Sequence, residues 1–188
     1  MKYYIAGLWL FTIIFSTIRI VAQEQVNEGG FENWEGSPAH PSGWVTQQSA
    51  SGIKGNLELQ DVTTSRSGIS SMKLYTDTVT LPIIGNRLIN GFALYGSGIY
   101  TPPATIIYKG TPFTSRPDSL VFWYKFSPVL NDSGSFGIQL TKWSDSTQYV
   151  AVNAGWAPAH LLNTYGLWQR NSCPLQYFTS DKPDSMMI

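Results

Sequence analysis

Charge is scarce in this 188-residue chain. Lys, Arg, Asp and Glu together make up 13% of it, about half the share of an ordinary soluble domain. Twelve basic residues balance twelve acidic ones, and no basic stripe or charge run occurs, which argues against a nucleic-acid surface. Cysteine is limited to Cys173. No internal disulfide can form, so the fold must hold by core burial, helped at most by a metal. Cys173 reads as a small buried apolar residue. The two histidines, His40 and His160, sit in no metal or nucleophile motif and read as loop residues. No G-x-S-x-G elbow, H-E-x-x-H pair or phosphate loop is present. Beyond the first 22 residues there is no amphipathic helical period and no internal repeat.

What the chain has instead is aromatic side chains, 14% of the total, with 7 Trp, 10 Tyr and 9 Phe. It also has an apolar N-terminus. Lys2 precedes an apolar run over 5–18, Arg19 closes it, and Val21-Ala22 offers a cut ahead of Gln23. This is the pattern of an export signal. A membrane-spanning helix needs roughly 20 apolar residues, and Ser16-Thr17 and Arg19 interrupt this run first. Residues 1–22 are therefore expected to be a signal peptide and 23–188 a single secreted domain, with no membrane span after cleavage. Without Lys2 and Arg19, the remainder carries 10 basic and 12 acidic residues. Low charge with many aromatics, Gly, Ser and Thr is the composition of extracellular β-proteins and sugar binders, although aromatics also serve plain β cores.

Turn clusters divide the chain into short strands. The spacing predicts strands at 43–47, 57–62 and 71–75, the last two separated by the polar run 63–68. Two or three more fall within 78–94, broken by Pro82, Gly85-Asn86 and Asn90-Gly91, and another lies at 105–108. In 119–126, Leu120, Phe122, Tyr124 and Phe126 share one face and Trp123 takes the other. In 135–143, Phe136, Ile138 and Leu140 share a face. The loop 131–134 predicts that these two strands form an antiparallel hairpin with Leu120, Phe122, Phe136 and Ile138 in the core. Residues 148–152 are expected to add a neighbour, with further strands at 166–169 and 175–178. Strands every 8–12 residues point to an all-β sandwich or jelly roll.

Three stretches carry a family resemblance. Asn27-Glu28-Gly29-Gly30-Phe31-Glu32-Asn33-Trp34 with His40-Pro41-Ser42-Gly43-Trp44 resembles the N-x-G-F-E-x-W and P-x-G-W opening of secreted carbohydrate-binding-type modules. Gly68 to Tyr75 fits an early strand of the same modules. Ser119 to Phe126 with Asp132-Ser133-Gly134 and Ile138 to Trp143 resembles their S-L-x-F-W-Y-K-F, D-x-G and I-x-L-x-K-W pattern. These modules are grouped as a carbohydrate metabolism domain and are common in bacteria that use type IX secretion. The resemblance implies a jelly-roll β-sandwich whose first segment pins the chain start, with Trp34 and Trp44 in the core. It also implies that 183–188 opens a late core strand, so that a closing strand is missing and a sheet edge lies open.

The resemblance further implies a structural calcium, with Glu32 as a ligand and Asn27 nearby. Calcium takes six to eight oxygens, which this segment cannot supply alone, and a polar strand-end role for Glu32 competes. For sugar binding, the aromatics placed for exposure are Trp123, Trp143 and Trp156. A pyranose stacks its C–H face on such rings, while average tryptophan burial favours packing for each taken alone. The expected function is non-catalytic binding of an extracellular polysaccharide or cell-surface glycan. The alternatives are a polysaccharide hydrolase, which needs two carboxylates at a fixed separation, and a structural or adhesion module without a small ligand. Among the glutamates, Glu24, Glu28, Glu32 and Glu35 crowd the first strand region, and Glu58 stands apart.

Overall fold

A computed structural model describes residues 26–101, 105–130, 132–143, 149–153 and 159–188; for 98–101, 105–109, 143, 149–153 and 159 the backbone alone is described. The signal-peptide reading and Trp156 lie outside the described residues. Within them the secondary structure is 18 short strands and one helix. All pairings are antiparallel. They make seven two-stranded pairs and one four-stranded sheet. The chain is all-β, with small, unclosed sheets. No helix among the described residues is long and apolar enough to cross a membrane.

Three cross-strand pairs build the core. Trp44–Thr46 pairs with Ala93–Tyr95 and sets Trp44 opposite Tyr95. Ser119–Tyr124 pairs with Gln169–Pro174 and sets Leu120 opposite Cys173. Gln139–Trp143 pairs with Ser185–Met187 and sets Leu140 opposite Met186. These six residues and Ile138 form the buried cluster. Directly opposed side chains lie close enough to exclude water between them, so each pair delivers a two-residue block to one centre. Phe122 and Phe136 pack against the cluster and stack with ring centroids 4.0 Å apart.

The turn signals place strands well in the first half. Glu58–Asp61 and Ser71–Leu74 form a hairpin, as do Thr76–Leu81 and Gly85–Asn90, with Ala93–Tyr95 following. The two hairpins meet at backbone level. Tyr75 N–H donates to Leu57 O at 2.8 Å and Gly91 N–H donates to Tyr75 O at 2.6 Å. A Cβ on Gly91 would lie 2.6 Å from both Leu57 O and Tyr75 O, so only glycine permits this approach.

In the second half the partners differ from expectation. Ser119–Tyr124 pairs with Gln169–Pro174 rather than with 135–143. The expected second strand breaks in two. Gly134–Phe136 pairs with Ala159–Leu161, and Gln139–Trp143 lies between Tyr149–Asn153 and Ser185–Met187. Phe122 and Phe136 do meet, through ring stacking instead of a shared ladder. The strand expected at 175–178 is absent, and Pro174 ends the edge strand Gln169–Pro174. Ser185–Met187 is an interior strand, held by Thr111–Pro112 on its other side. His40 and His160 sit in short strands, not loops.

The helix Gln47–Ser51 has no apolar period and is held by its ends. Thr46 caps it: Ser49 N–H donates to Thr46 Oγ1, and Thr46 N–H donates to Ser49 Oγ at 2.8 Å. Gly52 closes it in the left-handed conformation.

Candidate functional site

The outer face of the Ser119–Tyr124/Gln169–Pro174 ribbon carries the site. Alternation turns Leu120 and Phe122 toward the core and Trp123 outward, and Trp123 is 42% exposed. Its cross-strand partner is Arg170, whose side chain therefore leaves the same face about 5 Å away. One step beyond the ladder, Lys125 Nζ lies 5.2 Å from the centre of the Trp168 ring. The chain holds Trp-x-Lys at 123–125 and Trp-x-Arg at 168–170. Antiparallel pairing crosses the two motifs, so each tryptophan faces the other motif's cation. Arg66 completes the group, its guanidinium carbon 4.3 Å from the Trp123 ring centre.

Arg66 arrives on the turn 62–70, which is tied at both ends. At one end, Asp61 Oδ1 accepts from Thr63 N–H at 2.8 Å, Thr63 Oγ1 at 2.6 Å and Thr64 N–H at 3.2 Å; Oδ2 accepts from Thr64 Oγ1 at 2.6 Å. The Thr63 and Thr64 hydroxyls, the Thr63 amide and then Lys73 hold the Asp61 carboxyl well below the usual carboxylate range. At the other end, Ile69 N–H donates to both oxygens of Glu32 at 3.1 Å, and Ser70 Oγ donates to Phe31 O at 2.6 Å. Gly68 has φ +71°, and the Glu32 carboxylate occupies the space a Cβ would need there.

Of the three tryptophans expected to stack a sugar, Trp123 alone has a described side chain. Trp123 is outward, as alternation requires. Trp143 ends the strand Gln139–Trp143 and its side chain lies outside the described residues, as does Trp156 entirely. Trp44 is buried between Phe31 and Tyr95, ring centres 5.1 and 5.3 Å away. Trp34 is half-buried, and its Nε1 donates to Phe31 O at 2.9 Å, so both hold the chain start. Sequence reasoning missed Trp168, Arg66, Lys125 and Arg170. The repeated Trp-x-cation triplet was the available signal, but its meaning depends on which strands pair.

Glu32, the expected calcium ligand, is hydrogen-bonded within the protein, and Asn27 stands apart from those bonds. Both Glu32 oxygens face an N–H donor, Phe31 O is taken by Trp34 and Ser70, and Asn27 is exposed. Among the described residues no cluster of three His, Cys, Asp or Glu side chains occurs. Glu32 acts here as a clamp between the chain start and the 62–70 turn.

Two adjoining clefts of about 180 and 430 Å³ share Pro38, Gln48 and Gly55. The smaller holds one carboxylate, Glu58. That side chain is fully engaged. Oε1 accepts from Gln47 N–H at 3.1 Å and Phe92 N–H at 3.3 Å, and Oε2 accepts from Gln48 N–H at 3.1 Å. Burial pushes its carboxyl above the usual glutamate value against the pull of these donors. Gln48 is engaged too, donating to Gly55 O at 2.6 Å and accepting from Glu58 N–H at 3.0 Å. With one carboxylate whose oxygens face three backbone N–H groups, the cleft lacks the acid–base pair that glycoside hydrolysis uses.

Comparison with protein-family models, curated proteins and solved structures finds no match to this chain.

Proposed function

We propose that this chain is an exported, non-catalytic binding module of the jelly-roll β-sandwich type. Its ligand is extracellular polysaccharide or cell-surface glycan, held on an aromatic sheet face. The observation that carries the reading is Trp123, 42% exposed on a strand whose inward residues are packed. An indole on a flat, outward β face offers the apolar platform on which a sugar stacks its C–H groups. Trp168, just before the neighbouring strand Gln169–Pro174, extends that platform along the diagonal. Short antiparallel strands converging on one core support the sandwich, and the apolar run behind Lys2 supports export.

Affinity electrophoresis through gels cast with single polysaccharides tests the reading. The chain should be retarded by at least one glycan, and Trp123→Ala should migrate as in a blank gel with its melting temperature unchanged. Equal retardation of both proteins would remove Trp123 from the site, and no retardation in any gel would sink the binding function.

A second reading, an adhesion module, draws on the adjoining loops 127–130 and 162–167. Thr164 N–H donates to Phe126 O at 2.9 Å, and Val129, Leu130, Leu162, Tyr165 and Leu167 are exposed. Clustered exposed apolar side chains mark partner surfaces. Retention by whole cells but by no purified polysaccharide, lost in Leu130→Ser, would favour it.

A further inference from the structure

We propose that the glycan is anionic: its carboxylate or sulfate groups are held by Arg170, Lys125 and Arg66 while its rings lie on Trp123 and Trp168. The inference deepens the glycan-binding reading and rests on it.

Charge placement carries it. The chain as a whole is electrically balanced, yet this one face collects three cations. Neither 119–126 nor 167–174, the two segments that form it, contains an Asp or Glu. Among the described residues the ion pairs are Lys73–Asp61 and Lys142–Asp181, so none of the three is neutralised by a described carboxylate. Arg66 and Lys125 lie over indole rings. Such stacks contribute about 0.5–1 kcal/mol at exposed sites, weak enough for an anion to draw the cation toward itself. A guanidinium fork matches a carboxylate or sulfate with two parallel N–H donors. A neutral glycan would use the rings and leave three unpaired cations at its edge. Single-stranded nucleic acid also pairs aromatic rings with cations. It tracks long basic grooves, however, and this chain has no basic stripe beyond the single face.

The experiment measures retention of the full chain by polygalacturonate (carboxylate), dextran sulfate (sulfate), laminarin and amylose (neutral), poly-glutamate (a sugar-free polyanion) and single-stranded DNA, each in low and moderate salt. Polygalacturonate or dextran sulfate should bind most tightly, and whichever binds identifies the anion. Binding should weaken with salt and fall about tenfold in Arg170→Gln and in Lys125→Gln, as for loss of one charge-assisted contact. Melting temperatures should hold in both variants, because the residues are exposed. Four results would overturn the proposal. Tight binding of laminarin or amylose, indifferent to both substitutions, would leave a neutral-glycan module and remove the charge inference alone. Equal binding of DNA or poly-glutamate would make the face a general polyanion surface. A fall in melting temperature with unchanged retention would make the cation–indole stacks structural. Failure of every glycan would remove the underlying reading itself.

Discussion

Replacing Asp61 by asparagine isolates the charge that holds the turn 62–70. The side chain is 7% exposed and receives four hydrogen bonds from Thr63 and Thr64, plus Lys73 Nζ at 3.2 Å. Asparagine keeps the Oδ1 position as a neutral acceptor. It places an NH2 where Oδ2 accepted from the Thr64 hydroxyl and faced Lys73. Losing one charge-assisted bond costs about 1.5–3 kcal/mol. Lys73 is 49% exposed, so its pairing adds about 0–1 kcal/mol. The sum is about 1.5–4 kcal/mol near pH 7, or roughly 3–16 °C in melting temperature for a domain of this size. The pH dependence has a definite sign. The folded carboxyl titrates below the usual 3.8, so its contribution is complete above that value and disappears as pH falls through the folded pKa. Urea unfolding followed by tryptophan fluorescence should therefore find the stability gap between the parent chain and Asp61→Asn constant from neutral pH down to about pH 5 and shrinking in stronger acid. A gap of the same size in strong acid, or one below about 0.5 kcal/mol at neutral pH, would refute charge-assisted bonding as the cause.

Glu58 should behave in the opposite sense: its folded pKa lies above the usual 4.5, so its contribution is complete below that value and falls as pH rises. Glu58→Gln should cost about 1–3 kcal/mol through the misplaced NH2, and urea titrations should find the gap narrowing from about pH 4.5 toward neutrality. For Glu32, excess calcium should leave the melting temperature unchanged; a rise of several degrees that is lost in Glu32→Ala would restore the ion site implied by the family resemblance.

The local pattern made much of this fold legible. Period-2 alternation in 119–124 put Leu120 inward and Trp123 outward, and the turn residues around Pro82, Gly85 and Asn90 pointed to two or three strands within 78–94, where Thr76–Leu81, Gly85–Asn90 and Ala93–Tyr95 are found. The helix Gln47–Ser51 escaped because it is one turn long and held by Thr46, Gly52 and the Glu58 carboxylate rather than by an apolar stripe. Partner choice escaped as well. The 131–134 loop looks like a hairpin turn, but Ser119–Tyr124 pairs with Gln169–Pro174 and sets Leu120 against Cys173, a partner some fifty residues away along the chain.

The same division applies to the site. Alternation, turn chemistry and composition act over two to four residues, so the sequence by itself determined an all-β chain, the inward and outward rows of 119–124, and the two Trp-x-cation triplets. Tertiary structure decided that the triplets lie antiparallel and crossed, and that Asp61 and Glu32 hold the turn bringing Arg66 over Trp123. Those outcomes depend on which distant strand best completes the buried core, because burial is shared among side chains that the chain order keeps apart.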